Sequence, residues 1–259
     1  KGLYMKVVVK ELASGITTLN IVTLADQHIG EKNCDIKLVE KQIEEIRSNP
    51  NTYVILNGDL MNNATKTGKS DIYSEMLSPM AQVERATSLL EPIKDRIISA
   101  DAGNHELRTY INDGIDIMSF VALELGFSNC YSMEGNVIFL RFGRNNKNRK
   151  VCYSLYHIHG EGGGIKIGSK ANKLSELSAV IDVDCYIHSH THAPVLFRES
   201  YYRTDPRNST IALVDRLYVN TGSSLKYGGY GQRKGYRPSS TRTPIIHLNG
   251  RTKEATATL

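Results

Sequence analysis

The sequence predicts a single α/β domain with two packed sheets, and three observations indicate this fold class. In the first half of the 259 residues, apolar β-branched runs alternate with helical stretches, a pattern that favours parallel strands. In the second half, strand-like runs are joined by polar turns, which favours hairpins. Clusters of Asp, Asn and His follow the apolar runs, where an α/β sheet places its functional loops. Since no repeat or linker-like segment interrupts the chain, we expect residues 1–259 to form one domain.

The first half contains three predicted strands, each a short β-branched run that ends at a polar cluster. They cover residues 18–24, 52–56 and 96–100. Between the first two strands, apolar positions at helical spacing predict a helix over residues 36–47, with Asp35 as its N-cap.

Two further helices are predicted before the middle of the chain, over residues 71–96 and 115–125. Two prolines in the longer helix are expected at breaks or in first turns: Pro79 and Pro92. Either of two aspartates caps the shorter helix: Asp113 or Asp116.

The second half is richer in strands. A polar stretch at residues 143–149 predicts a hairpin turn, and residues 170–180 predict a short helix. The predicted strands cover residues 136–141, 151–157, 185–188, 195–201, 210–220 and 243–248.

The composition limits the class of protein. Hydrophobic residues make up 40% and charged residues 23%, as in ordinary globular domains. No apolar run approaches the roughly 18 residues of a membrane span, and the first residues lack the apolar core of a signal peptide. The four cysteines form no CxxC pair, so we expect reduced thiols and a cytoplasmic location. The net charge of +5 suits an anionic substrate, although an ordinary basic surface has the same charge.

Five polar clusters are the strongest functional signal, since they contain all but one of the eight histidines. They are Asp26-Gln27-His28, Gly58-Asp59, Gly103-Asn104-His105-Glu106, His157-Ile158-His159-Gly160 and His188-Ser189-His190-Thr191-His192. Carboxylate, imidazole and amide oxygen form a mixed ligand set that suits Mn, Fe or Zn better than Ca. Two such ions about 3.5–4 Å apart form a clamp for displacement at phosphorus, and Asp59 is the natural shared carboxylate.

In kind and order these clusters, with Leu60-Met61-Asn62 after Asp59, resemble the signature of the calcineurin-like metallophosphoesterases, especially small members from bacteria and their viruses. The tail Asn220-Thr221-Gly222-Ser223 is similar to the final core strand of that family. The resemblance implies a four-layer αββα sandwich, in which helices flank two mixed β-sheets. It also implies two divalent metal ions at one edge, with Mn first and Fe, Zn, Ni or Mg as alternatives.

The resemblance also implies residue roles. One metal ion would be held by Asp26, His28, Asp59 and His192, and the other by Asp59, Asn104, His159 and His190. A water or hydroxide held by the ions would attack phosphorus. His105 would be catalytic without binding metal, either stabilising the transition state or protonating the leaving oxygen.

Some assignments stay open at this point. His157 and His159 point to the same face of a strand, and His159 is preferred because it lies at the strand end. His188 and His247 are expected to be structural. Ser189 stands where the family usually has Gly, so the turn must accept a Cβ, and its hydroxyl is a candidate to face the site.

The substrate-binding candidates lie on loops. Arg108 either contacts a phosphate or is a surface arginine, and the same alternatives apply to Lys66 and Lys69. Gly162 and Gly163 offer backbone N–H groups to a phosphate, or belong to a flexible loop. Residues 226–237, here named the Tyr/Arg segment, interleave aromatic and basic side chains, including Tyr230 and Arg233. This composition suits single-stranded nucleic acid, although a rim loop is the simpler alternative.

These observations predict a metal-dependent phosphoric ester hydrolase with a preference for phosphodiesters, either nucleic acid or nucleotide. The alternatives are a small-molecule phosphomonoesterase and a non-catalytic scaffold of the same fold. We expect a phosphate-ester substrate and no membrane partner.

Overall fold

A computed structural model describes residues 5–68, 70–162 and 164–259, with the backbone alone of Tyr230. Two mixed sheets of six strands pack face to face, and helices cover their outer surfaces. The predicted four-layer αββα sandwich is therefore confirmed.

The described strands are, in chain order, β1 (Lys6–Glu11), β2 (Thr18–Leu24), β3 (Thr52–Asn57), β4 (Ile97–Asp101), β5 (Tyr131–Ser132), β6 (Asn136–Phe142), β7 (Val151–Ile158), β8 (Cys185–His188), β9 (Val195–Asp205), β10 (Thr210–Asn220), β11 (Ile245–Asn249) and β12 (Ala255–Thr258). The described α-helices are α1 (Ile36–Ser48), α2 (Pro79–Leu90), α3 (Leu107–Asp113), α4 (Ile117–Glu124), α5 (Ile167–Ser175) and α6 (Gly229–Arg233).

Sheet I has the order β12-β11-β2-β3-β4-β5, and sheet II has the order β1-β6-β7-β8-β10-β9. In sheet I, β2, β3, β4 and β5 run parallel, as the alternating first half of the sequence predicts. In sheet II, β7, β8 and β10 run parallel, while β6 and β9 pair with them as antiparallel hairpin partners. Each sheet therefore has a parallel centre, whose strand ends deliver loops to one edge.

The main core lies between the sheets and continues beneath α1, α2 and α4. It is built from β-branched and leucine side chains that are almost completely buried, such as Ile21, Ile55, Leu56, Ile138 and Leu155. A smaller cluster under α5 contains two stacked tyrosines, Tyr186 and Tyr218, with ring centroids 4.8 Å apart.

The stretch predicted as helical over 71–96 is divided at its two prolines, which lie in first turns as expected, and residues 75–78 are not helical. The chain forms a 3₁₀ turn at Ile72–Ser74, then α2, then a 3₁₀ helix at Glu91–Arg96. α2 starts at Pro79, where a missing N–H costs nothing, and the Ser78 hydroxyl accepts a bond from Ala81 N at 3.4 Å. Pro92 likewise lies in the first turn of the second 3₁₀ helix.

The helix predicted over 115–125 is α4, which begins later because Asp116 is its cap and accepts a bond from Ser119 N at 3.1 Å. Before it lies α3, which was not predicted and which ends at Gly114 with φ of 72°. The helix predicted over 170–180 starts earlier, as α5, and changes to a 3₁₀ turn after Ser175. In the described part of the chain, no helix has the length and apolar character needed to span a membrane.

Candidate metal centre and cleft

The predicted clusters meet at one edge of the sandwich. β2, β3 and β4 are parallel neighbours in sheet I, and β7 and β8 are parallel neighbours in sheet II. The loops after these five strands carry the predicted ligands: Asp26 and His28, Asp59, Asn104, His159, and His190 and His192.

Three groups of side chains each bring their ligand atoms within 4.8 Å of one another. They are Asp26 with His28 and His192, His28 with Asp59 and His105, and Asp59 with His159 and His190. The groups overlap, since His28 and Asp59 each belong to two of them. We name this set, with Asn104, the candidate metal centre.

The first end of the centre joins β2 to the loop after β8. His192 Nε2 lies 3.3 Å from Asp26 Oδ1 and 3.1 Å from His28 Nε2. Asp26 Oδ1 is buried and has no hydrogen-bond partner in the described part of the chain. A buried carboxylate oxygen without a donor is costly, and a bound cation would remove that cost.

The second end joins β3, β4 and β7 to the same loop. Asp59 Oδ2 lies 3.2 Å from His159 Nε2 and 4.0 Å from His28 Nε2. Asn104 Oδ1 lies 2.7 Å from His190 Nδ1 and 3.3 Å from His159 Nε2. Asp59 Oδ2 thus faces both ends of the centre, where a bridging carboxylate would lie.

The donor set fits divalent metal ions. In two places, ring nitrogens face each other at close range: His28 with His192 at 3.1 Å, and His159 with His190 at 3.3 Å. Two neutral imidazoles present repelling lone pairs in this arrangement unless one of them donates a proton, whereas a cation attracts both. Buried oxygen and nitrogen donors together suit Mn, Fe or Zn.

The charged groups within the centre strongly shift one another's pKa values. Burial lowers the pKa of His28 well below its usual value, and the neighbouring histidines add to this effect. Burial raises the pKa of Asp59, but His159, His105 and His28 outweigh it and hold that pKa well below its usual value. Burial lowers the pKa of His159, but the Asp59 carboxylate outweighs it and holds that pKa well above its usual value. Asp59 is therefore a carboxylate in the folded protein.

Five residues of the centre have left-handed backbone conformations, although none is glycine. The φ values are 50° for Asp26, 51° for His28, 51° for Asp59, 64° for His190 and 55° for His192. Such conformations are strained in residues with a Cβ, and they concentrate at functional sites. No pattern in the sequence predicts these backbone conformations.

Glu106 supports the centre from below. Its carboxylate accepts three backbone bonds, from Asp59 N at 2.9 Å, Met61 N at 2.9 Å and Gly103 N at 2.8 Å. Burial, followed by the nearby Asp59 carboxylate, raises the pKa of Glu106 to about 7. Gly103 must be glycine, because a Cβ there would collide with the Asp59 carboxylate.

The structure places His159 in the centre and His157 outside it. His157 is buried between the sheets, where its ring contacts Asn57 Oδ1 and Ser99 Oγ, both at 2.7 Å. His188 is also buried away from the ligand groups, with Nδ1 2.8 Å from Asn220 Oδ1.

The Ser189 hydroxyl does not face the centre, contrary to one expectation from the sequence. Ser189 is buried, and its hydroxyl oxygen accepts a short bond from Asn57 Nδ2. Asn57 Nδ2 also donates to Ile158 O at 3.1 Å, and Asn57 Oδ1 accepts from His157 Nδ1. Ser189 is therefore part of a polar network between β3, β7 and β8.

Arg108 is bonded into the centre and is not a free surface arginine. It donates to His105 Nε2 at 2.8 Å, to Asn62 O at 3.0 Å and to Ser70 Oγ at 2.9 Å. His105 Nδ1 lies 2.7 Å from Asn62 O, which only accepts, so the proton of the neutral ring is on Nδ1. Burial lowers the pKa of His105 to about 4. In this arrangement His105 Nε2 is an acceptor, 3.7 Å from Asp59 Oδ2.

A cleft of about 1250 Å³ opens from the centre. One wall is the loop after His159 with the start of α5, and another is the Tyr/Arg segment with the residues up to 240. Of the predicted substrate-binding residues, Arg108, Gly162 and Arg233 line it. Gly163 and Lys69 lie outside the described residues, and only the backbone of Tyr230, within α6, is described. Lys66 lines a separate depression.

Two lysines at the start of α5 and just before it line the cleft and were not predicted from the sequence: Lys166 and Lys170. Their i, i+4 spacing directly after the glycine-rich loop was the available signal. Lys170 Nζ donates to Thr191 O at 2.8 Å, and Thr191 lies between His190 and His192 in the chain.

No family model matches this chain, and no curated protein matches it. Among solved structures, it is similar to a conserved uncharacterized protein from Streptococcus pneumoniae TIGR4, described as a predicted phosphoesterase, at 13% identity and TM-score 0.40, over 91% of this chain and 86% of that one. It is also similar to a Vps29 double mutant from Entamoeba histolytica, at 12% identity and TM-score 0.40, over 93% and 97% of the two chains. A third similar structure is GAP50, described as the anchor in the inner membrane complex of Plasmodium, at 11% identity and TM-score 0.44, over 90% of this chain and 82% of that one. Similarity this weak carries no conclusion about activity, so function has to be argued from the centre itself.

Proposed function

We propose that this protein is a dinuclear metal-dependent phosphoesterase that hydrolyses P–O bonds, with a preference for phosphodiesters. One observation carries the proposal: Asp59 belongs to two groups of ligand atoms, one with His28 and His105 and the other with His159 and His190. Its Oδ2 atom lies 4.0 Å from His28 Nε2 and 3.2 Å from His159 Nε2. A shared carboxylate between two ligand sets is what a pair of ions requires.

The ligand sets follow from the groups described above. Asp26, His28 and His192 would hold one ion with Asp59, and Asn104, His159 and His190 would hold the other with Asp59. When bound, such a pair polarises a phosphoryl oxygen and lowers the pKa of water, which is the chemistry that P–O hydrolysis needs. Mn is our first choice for both positions.

The protein positions these ligands before any ion binds. His105 N donates to Asp59 Oδ1 at 2.8 Å, which turns Oδ2 towards the histidines. Asn62 Oδ1 orients the His28 ring at 3.2 Å, and Asn57 O orients the His159 ring at 2.8 Å. Bonds from outside the ligand set fix which ring nitrogen faces the centre.

His105 and Arg108 would act on the substrate together. A guanidinium offers a planar pair of donors that matches two phosphoryl oxygens, and it stabilises charge that develops on them. If Arg108 turns from His105 to a phosphate, the His105 Nε2 atom becomes available to the leaving oxygen. The acid role predicted for His105 therefore depends on displacement of Arg108 and on a second proton at Nε2, because the neutral ring carries its proton on Nδ1. Departure of the Arg108 charge would favour that protonation, since this charge lowers the pKa of His105.

A diester preference is supported by the size of the cleft, because a diester extends in two directions from the reacting phosphorus. A small-molecule phosphomonoesterase is the second candidate, since the centre itself would serve both substrates. A non-catalytic scaffold is less well supported, because all seven ligand candidates and His105 are present and face one another.

The test compares turnover of bis-p-nitrophenyl phosphate, p-nitrophenyl phosphate, cyclic nucleotides and single-stranded DNA by the Mn²⁺-saturated protein. We expect turnover of the diesters, its loss in Asp59→Asn and a large decrease in His105→Ala. His247→Ala is the matched control, because His247 bonds to Asn20 and Thr258 on sheet I, away from the centre. Monoester turnover with inert diesters would refute the diester preference. Saturation at about one Mn²⁺ ion per chain, or at fewer, would refute the dinuclear proposal.

A further inference from the structure

We infer that the cleft binds a single strand of nucleic acid, which runs from the candidate metal centre between α5 and the Tyr/Arg segment. This inference rests on the proposed phosphodiesterase function and specifies its substrate class. The dimensions of the cleft are the first argument. Pockets for small ligands typically have volumes of about 300–1000 Å³. The cleft exceeds that range at about 1250 Å³, and it continues from His192 to Ser240.

The α5 wall supplies cations beside the centre. Lys170 is half-buried, and its bond to Thr191 O holds the ammonium between His190 and His192 along the chain. The Thr191 carbonyl accepts from one of the three N–H donors of the Lys170 ammonium, so the other donors remain for a phosphate. Lys166 lies one helical turn earlier and lines the same wall. A phosphate adjacent to the scissile one would meet these two lysines.

The opposite wall supplies aromatic rings and further cations. Tyr227, Arg233, Tyr236 and Arg237 all line the cleft. The tyrosines are 52% and 37% exposed, so their rings are accessible for base stacking. Aromatic rings next to a basic groove are the features with which proteins bind single strands without reading their sequence.

Hydrogen bonds hold this wall in place. Tyr227 Oη donates to Tyr236 O at 3.0 Å, which closes the turn of the segment on itself. Lys226 N donates to Asn33 O at 2.9 Å, and Lys226 Nζ pairs with Asp35 at 3.4 Å. The wall is therefore tied to the loop after β2, which carries Asp26 and His28.

Charge is distributed unevenly around the cleft. The α5 wall carries Lys166 and Lys170 with one carboxylate, Glu161, and the Tyr/Arg segment contributes Lys226, Arg233 and Arg237. The remaining side carries the carboxylates Glu31, Asp71 and Glu75 together with Lys32 and Arg108. A phosphate backbone would follow the basic walls and avoid the acidic side. This asymmetry favours one strand with its bases stacked on the tyrosines over a duplex, which presents phosphates on two sides.

The experiment measures how strongly oligothymidylate of about 20 nucleotides inhibits turnover of bis-p-nitrophenyl phosphate by the Mn²⁺-loaded protein. One variant is Arg233→Ala with Arg237→Ala, and another is Tyr227→Leu with Tyr236→Leu. The matched control is Arg207→Ala with Arg251→Ala, because those arginines lie in hairpin turns outside the cleft. We expect about a tenfold rise in the inhibition constant in each cleft variant, since stacking and phosphate contacts are both lost. Turnover of the small diester should stay within about twofold in the control, and it is measured in each cleft variant so that the inhibition constant refers to active protein.

Salt dependence gives a second measurement. Each phosphate contact to a single strand contributes about 0.7 to the steepness of the plot of log affinity against log salt concentration. The variant that lacks both arginines should therefore have a slope that is less steep by about 1.4. The inference is overturned if the small diester is hydrolysed but the oligonucleotide inhibits the cleft variants as strongly as it inhibits the control. It is also overturned if thymidine monophosphate binds as tightly as the oligonucleotide. If the small diester itself is inert, the proposed function fails, and anisotropy of a labelled oligonucleotide with the same variants still tests the cleft.

Discussion

Replacement of Asn57 by alanine should destabilise the protein strongly, because one side chain joins the ends of three strands. Asn57 Nδ2 donates to Ile158 O at 3.1 Å and to the Ser189 hydroxyl, and Asn57 Oδ1 accepts from His157 Nδ1 at 2.7 Å. All of these groups are buried away from water or nearly so. The backbone carbonyl that orients His159 remains in the variant.

The magnitude follows from the three groups that lose a partner. A buried polar group left unpaired costs about 1–3 kcal/mol, and rotation of the Ser189 hydroxyl recovers part of one loss. We therefore expect the free energy of unfolding to fall by roughly 4 kcal/mol, a large share of the 5–15 kcal/mol typical of a domain. Ser189→Ala should cost only about 1 kcal/mol, because Asn57 Nδ2 keeps Ile158 O as an acceptor.

Urea unfolding with linear extrapolation measures these changes, provided that the slope with denaturant is unchanged. Asn208→Ala is the control, because Asn208 makes an exposed hydrogen bond to Asp205 within a turn. Its replacement should lower the free energy of unfolding by less than about 0.5 kcal/mol. The double variant Asn57→Ala with Ser189→Ala should be less destabilised than the sum of the single variants by about 1 kcal/mol. A loss below about 1 kcal/mol for Asn57→Ala, or strict additivity, would refute the network.

Three further predictions concern the centre. Mn²⁺ at about 100 times its dissociation constant should raise the free energy of unfolding by about 2.7 kcal/mol for each ion bound, and thermal melts should show most of this gain lost in Asp59→Asn; an equal gain in both proteins would contradict the proposed ligand set. Without added metal, the stability contributed by His105 should be lost as the pH is lowered from about 6.5 to 4, because the unfolded state protonates His105 before the folded state does. Urea titrations should show the unfolding free energy of the wild type decreasing relative to that of His105→Gln over that window, and a constant difference would contradict the lowered pKa. Arg108→Lys should lower turnover of a diester at least about tenfold, since an ammonium cannot offer two coplanar donors; full turnover would exclude contact with the phosphate.

The elements of the main sheets could be predicted from the sequence. The strands predicted at 18–24 and 210–220 match β2 and β10, because long apolar β-branched runs with polar ends have few alternatives in a packed core. The convergence of Asp26, Asp59 and Asn104 was also predictable. Parallel neighbours must end at the same edge of a sheet, so residues just beyond each strand are brought together.

Elements that depend on distant partners could not be predicted. β1 pairs with β6, more than a hundred residues further along the chain, and β12 pairs with β11 at the sheet edge. Short edge strands lack the continuous apolar runs of central strands. The bonds of Arg108 to His105 and of Lys170 to Thr191 depend on rotamers that only the folded surroundings select.

The left-handed backbone of the centre helps to decide between an enzyme and a scaffold. A left-handed conformation costs about 1–2 kcal/mol for a residue with a Cβ, and Asp26, His28, Asp59, His190 and His192 all adopt it. Glycine would relieve this strain at each position, but it would remove an oxygen or nitrogen that faces the centre. In a scaffold that used only its surface, the three histidines among them would keep this strain with no ligand to offset it. Metal binding by these side chains would offset the strain, which favours the metal-dependent enzyme over the scaffold.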